Sequence, residues 1–115
     1  MRILVVEDRE ELRVIFCAWL AAEGYEVTPA EDGEHAWRLL ETSRFDLVVT
    51  DYQMPLMDGD ELCRRIKTQL GPHQRLPVIL ISGEARVSVY ADVILQKGTD
   101  GFRKDLSRAI AALLL

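Results

Sequence analysis

Short apolar runs alternate along the chain with stretches whose apolar residues recur three and four positions apart. Ile3-Leu4-Val5-Val6 has no polar alternation, so it reads as a strand buried on both faces. Leu12, Ile15, Phe16, Trp19 and Leu20 then mark one face of an amphipathic helix, and Gly24 sits where a helix-ending glycine belongs. Residues 25–30 form a weaker second strand, which Pro29 assigns to an edge or a strand end. Asp32-Gly33 turns the chain into a short helix carrying Ala36, Trp37, Leu39 and Leu40. Residues 47–50 read as the third strand, Leu62, Ile66 and Leu70 as a third helix closing at Gly71-Pro72, and residues 78–81 as the fourth strand. Beyond it a helix is expected over residues 87–96, although its β-branched residues oppose that state. A short fifth strand over residues 101–103 and a last helix from near Asp105, through Leu106, Ala109, Ile110 and Leu113, complete the reading.

About five strand and helix alternations imply an α/β fold, a parallel sheet with helices on both faces. In such sheets ligands bind beyond the carboxyl ends of the strands, at the switch point in strand order. The 115 residues suit one domain, and no repeat or linker divides them. A net charge of −5, from 14 basic and 19 acidic residues, argues against a nucleic-acid surface. No apolar run has the length of a membrane span or a signal-peptide core. Cys17 and Cys63, with no CxxC pair, read as reduced thiols of a cytoplasmic protein, a disulfide being the alternative.

The strand ends carry the chemistry. Glu7-Asp8 follows the first strand, Asp51 the third, Ser82 the fourth, and Lys104 the expected fifth. Three carboxylates gathered at one sheet edge repel one another unless a cation joins them, and hard oxygen ligands in a wet pocket suit Mg²⁺. A hydroxyl and an ammonium beside such an ion supply what a transferring phosphoryl group needs. Each residue alone also has an ordinary reading: Glu7-Asp8 as a helix cap, Ser82 and Lys104 as loop residues. Lys97, just before Gly98, reads as a cation at a helix C-terminus, and His35 and His73 as surface residues.

Four segments, ILVVED at 3–8, DLVVTDYQMPLMDG at 46–59, PVILISGEA at 77–85 and GTDGFRK at 98–104, together make the chain resemble the receiver domains of two-component response regulators. The resemblance covers essentially the whole chain. It implies a flavodoxin-like (βα)5 fold with strand order 2-1-3-4-5, and a single receiver domain over residues 1–115 with no output domain. It implies that Asp51 accepts a phosphoryl group from the phosphohistidine of a histidine kinase or phosphotransfer protein. Glu7, Asp8, Asp51 and the Gln53 backbone carbonyl would hold Mg²⁺, with Asp8 a direct ligand and Glu7 acting through water. Ser82 would hydrogen-bond the phosphoryl group and Lys104 would pair with it; the 31 positions from Asp51 to Ser82 and the 22 from Ser82 to Lys104 are close to the family's intervals. Around Asp51, Pro55 would stiffen the loop, Gly59 allow a close approach, and Asp58 cap the third helix, with Met54 and Met57 packing.

The implied output is a shift of the helix-four, strand-five and last-helix surface, read by a downstream output domain or protein effector. Ser82 and an aromatic on strand five would act as the switch, Phe102 being the candidate against a plain core aromatic. Family members usually carry that aromatic three residues before the lysine and a proline after it. Here Phe102 is two before Lys104, and Asp105, as cap or as competitor for Lys104, replaces the proline. The chain is therefore expected to catalyse only its own phosphorylation and dephosphorylation, without membrane or nucleic-acid partners. A phosphorylation-independent binding module is one alternative. An aspartate-nucleophile phosphatase is another, disfavoured because Gln53 stands where that class carries its second acid.

Overall fold

A computed structural model describes residues 1–69, 71 and 75–115. Leu70, Pro72 and His73, to which the sequence assigned a helix end and a surface histidine, lie outside the described residues. In chain order the elements are β1 (Arg2–Val6), α1 (Glu10–Ala22), β2 (Glu26–Ala30), α2 (Gly33–Thr42), β3 (Leu47–Asp51), α3 (Gly59–Gln69), β4 (Val78–Ser82), β5 (Val93–Gln96) and α4 (Phe102–Leu113). All strand pairs are parallel, in the order β2-β1-β3-β4-β5.

Strand periodicity explains the two-sided core, because successive side chains point to opposite faces. Ile3, Val5, Leu47, Val49, Ile79 and Ile81 meet Phe16 and Leu20 of α1 and Phe102, Leu106 and Ile110 of α4. Leu4, Val6, Val48 and Val78 meet Ala36 and Leu40 of α2 and Leu62, Cys63 and Ile66 of α3. With both faces covered, the central strands carry unbroken apolar runs, Ile3 to Val6, Leu47 to Val49 and Val78 to Ile81, and their polar residues fall at the strand ends. The edges β2 and β5 are less buried, and Pro29 lies on the edge strand β2, where a missing ladder donor is tolerated.

Local signals set the helix ends. After α1, the Gly24 amide bonds the Ala21 carbonyl and the Tyr25 amide the Leu20 carbonyl, with Gly24 at φ +95°. This pairing needs a left-handed residue, which glycine adopts without strain. Asp32 caps α2 by accepting the His35 amide at 2.8 Å, and Asp58 caps α3 by accepting the Glu61 amide at 2.8 Å.

The carboxyl half departs from the sequence reading. The helix expected over residues 87–96 is absent: residues 83–92 cross from β4 to β5 without a helix, and residues 93–96 are β5. Val87, Val89, Val93 and Ile94 are β-branched, and here extended structure prevails over the helical spacing. The crossover is pinned instead. Ser88 Oγ donates to Asp60 Oδ1 and accepts the Tyr90 and Ala91 amides. Asp92 Oδ2 accepts the Val78 amide at 2.8 Å and the Lys67 ammonium at 2.7 Å. The strand expected over residues 101–103 is a second correction. Phe102 is the first residue of α4, packed with Phe16 and Trp19 at ring separations of 5.9 and 6.4 Å.

Phe102 is therefore a load-carrying part of the core beneath α4. Phe102→Ala is expected to lower the unfolding free energy by about 3–5 kcal/mol, the usual cost of emptying a ring site. Urea unfolding should show this as a lower midpoint at unchanged slope. A loss below about 1 kcal/mol, no more than an ordinary surface change, would refute the packing.

Candidate functional site

Parallel strands bring the predicted acids together at one end of the sheet. Glu7 follows β1 and is fully buried, Asp51 closes β3 at 3% exposure, and Asp8 is exposed beside them. One carboxylate oxygen from each of Glu7, Asp8 and Asp51 lies within 4.8 Å of the other two. Asp8, Asp51 and Gln53, with Arg9, Gly83 and Lys97, line an open cleft of about 260 Å³.

The cation at this cluster is Lys97, not Lys104. Lys97 Nζ lies 2.9 Å from Asp51 Oδ1 and 3.3 Å from Glu7 Oε2. Its backbone extends β5, the Lys97 amide donating to the Ser82 carbonyl at 2.8 Å. Lys104 is exposed on α4 and lines a separate groove with Trp19 and the turn between β5 and α4. The helix-end reading of Lys97 is thus corrected, and so is the interval: Lys97 follows Ser82 by 15 positions, against the 22 that favoured Lys104. A signal for this was present in Val93-Ile94-Leu95, a strand-like run leading straight to Lys97 and Gly98. Three residues before Lys97 stands Ile94, and after it Gly98, so β5 carries neither the aromatic nor the proline of the family pattern.

The electrostatics are those of crowded, dry carboxylates. Burial pushes the Glu7 carboxyl up to about 7, helped by the Asp51 charge and opposed by Lys97. Burial also raises Asp51, against the hydrogen-bonding and charge of Lys97. Glu7 is otherwise satisfied, its Oε1 accepting the Arg9 amide at 3.2 Å. Ser82, also nearly buried, accepts the Glu84 amide on its Oγ at 3.1 Å, which leaves the hydroxyl proton free to donate.

The loop after Asp51 is shaped by close packing. A Cβ on Gly59 would fall 2.1 Å from the Asp51 carbonyl oxygen, so only glycine fits there. The Gly59 amide donates to the Tyr52 carbonyl at 2.7 Å, closing the loop on itself. Between them Met57 donates to Pro55 across Leu56, which is exposed at φ +69°. Met54 and Met57 are buried, and Met57 packs on Gly33 at the start of α2. Sequence reading gave no sign that Arg86 would lie over the Tyr52 ring or that Ser88 would reach Asp60, because both contacts depend on the unhelical crossover.

Comparison with known proteins agrees with this architecture. The family profile described as response regulator receiver domain matches residues 3–109. A gliding motility regulatory protein of Myxococcus xanthus is 36% identical over 88% of this chain, which spans 14% of that relative's length. The response regulator receiver protein CpdR of Brucella abortus is 38% identical over 79% of this chain and 73% of its own. Among solved structures, the response regulator TrrA of Thermotoga maritima, in complex with Mg²⁺-BeF, superposes at a TM-score of 0.89 with 30% identity, covering 98% of both chains. With a match across nearly all of its length and the same five-stranded fold, the chain belongs to the response regulator receiver domain family.

Proposed function

We propose that residues 1–115 act as one phosphoacceptor receiver domain, with Asp51 taking a phosphoryl group from a phosphohistidine. The observation that carries this reading is the Lys97 ammonium, held between the buried carboxylates of Asp51 and Glu7 at the mouth of an open cleft. Receiver domains interact with histidine kinases and output domains, and the phosphohistidine donor follows from that family role. Attack by an Asp51 carboxylate oxygen forms an O–P bond while the N–P bond breaks and its electron pair stays on the imidazole. Lys97 orients the carboxylate and offers positive charge to the phosphoryl oxygens, the role the sequence had given Lys104. The Ser82 hydroxyl donates to one of those oxygens.

The donor set fits Mg²⁺: three carboxylates converge within reach of one ion, and burial raises the proton affinity of two of them, Glu7 and Asp51, against the charge of Lys97. Asp8 and Asp51 would hold it directly, with the Gln53 carbonyl, and Glu7 through water. When bound, the ion supplies charge neutralisation between the acids and the incoming phosphoryl oxygens. The magnesium-bound beryllofluoride complex of the Thermotoga relative supports this reading. The output surface on this reading is the crossover, residues 83–92, in place of the helix-four, strand-five and last-helix surface expected from the resemblance.

With acetyl phosphate or a phosphorylated phosphotransfer domain and Mg²⁺, intact-mass measurement should show one added phosphoryl group, absent in Asp51→Asn and after chelation. Labelling that persists in Asp51→Asn would rule out the assignment. Lys97→Ala should reduce the labelling rate at least about 100-fold, the scale of one electrostatic stabiliser, whereas Lys104→Ala should leave it within about twofold; the reverse order would return the role to Lys104.

Glu7 binds its proton more tightly folded than unfolded, so the folded metal-free chain carries the extra proton between about 4.5 and about 7. Its contribution to stability therefore falls as pH rises through that window and stays low above it. Urea midpoints of the metal-free protein should drop relative to Glu7→Gln between pH 5 and pH 8, and Mg²⁺ should restore more at pH 8. Parallel pH profiles for the two proteins would exclude a raised Glu7.

A further inference from the structure

The crossover from β4 returns to the flank of Asp51 through a closed chain of contacts. Ser82 Oγ accepts the Glu84 amide at 3.1 Å, and Glu84 Oε2 lies 3.4 Å from Arg86 Nη2. The Arg86 guanidinium carbon sits 4.4 Å from the centre of the Tyr52 ring, and Tyr52 follows Asp51 directly. The segment thus begins at the hydroxyl that would meet a phosphoryl group and ends stacked beside the acceptor. Two features make the stacked position a shallow one. Arg86 Nε is buried without a hydrogen-bond partner, which sets a desolvation cost against the stacking. The Glu84 carboxylate is largely exposed, so its pairing with Arg86 adds little.

We propose that Arg86, stacked on Tyr52, is a latch that holds residues 83–92 in the unphosphorylated position, and that its release accompanies the movement of Ser82 toward a phosphoryl group. The proposal rests on Asp51 being the phosphoacceptor. Arg86 faces a groove formed with Tyr52, Ala85 and Val87, apart from the acid cleft, so it acts through the crossover and not on the phosphoryl group itself. Pulling Ser82 inward carries the Glu84 amide with it, while Ser88 stays tied to Asp60 and to the Tyr90 and Ala91 amides. The displacement is absorbed between these points, where Arg86 lies. The strand position three before Lys97 is Ile94, so no ring on β5 is there to take up the motion.

A latch that favours the inactive state lowers the apparent affinity of any ligand that requires the other state. Beryllofluoride with Mg²⁺ is the probe, its binding to the whole chain read by fluorine NMR titration. Arg86→Ala is expected to bind it about three- to tenfold more tightly than the parent, as a modest shift in a two-state equilibrium gives. Tyr52→Leu, which removes the ring and keeps the arginine, should tighten binding in the same direction, and Arg86→Lys should do so by less. Unchanged affinity in both Arg86→Ala and Tyr52→Leu would overturn the latch while leaving the phosphoacceptor reading intact. Weaker binding in Arg86→Ala would also overturn it, showing that the guanidinium helps hold the phosphoryl mimic. Failure of the parent to bind, with no difference from Asp51→Asn, would overturn both readings together.

Discussion

Two carboxylates with almost no access to water share one ammonium, and the rest of the molecule is arranged around that constraint. Glu7 and Asp51 are held dry by the strands that carry them, which are apolar on both faces. Their charges cannot spread into solvent, and Lys97 offsets them only in part, since both carboxyls still have raised proton affinity. The site therefore has an electrostatic deficit that further positive charge would relieve. A cleft lined by Asp8, Gln53, Gly83 and Lys97 keeps it open to such charge. The packing of Gly59 against the Asp51 carbonyl serves the same end, because it lets α3 begin close behind Asp51 and fixes the loop at the cleft's edge.

Lys97 reaches this site through an abbreviated connection. Parallel strands are usually joined by a dozen or more residues that include a helix, whose apolar face covers the sheet. Here ten residues, 83–92, do the work without one. Tyr90 and Ala91 supply what apolar cover the segment gives, while Val87 and Val89 point outward. Side-chain anchors stand in for the helix's own hydrogen bonds: Ser88 takes two backbone amides and Asp60, and Asp92 takes the first amide of β4 together with Lys67. Such anchors satisfy polar groups that a helix would have satisfied internally.

The amino-terminal two thirds of the fold was legible because local pattern and tertiary role agree there. The uninterrupted ILVV and LVV runs mean two covered faces, and Gly24, Asp32, Asp58 and Gly59 each sit where their backbone chemistry requires. Glu7, Asp8 and Asp51 could be grouped because strand ends of a parallel sheet converge whatever the loops do. The carboxyl third was misread because residues 87–96 satisfy a helical spacing and a strand composition at once, and only the tertiary setting decides. That single ambiguity moved strand five by eight residues, from residue 93 to residue 101, and so exchanged Lys97 for Lys104 and gave Phe102 a place on a strand it does not occupy. The interval of 22 positions made the error self-consistent and outweighed the one local mark, the strand-like Val93-Ile94-Leu95 run before Lys97.

The shortening also bears on how a charge at Asp51 could be read elsewhere. A helix between β4 and β5 would move as a rigid body and carry its whole surface with it. A crossover pinned at separate points would move between them, so on the proposed function a change would be confined to the residues from Ser82 to the Ser88 anchor. Within that stretch lie the Glu84 carboxylate, the Arg86 guanidinium and the exposed Val87 side chain. Any displacement there alters both the charge and the apolar character of a small patch next to the cleft, while Phe102 and the base of α4 stay locked in the ring cluster with Phe16 and Trp19. On the proposed function, the crossover is thus the part placed to carry the change, and the side chains that fasten it would set the cost of moving it.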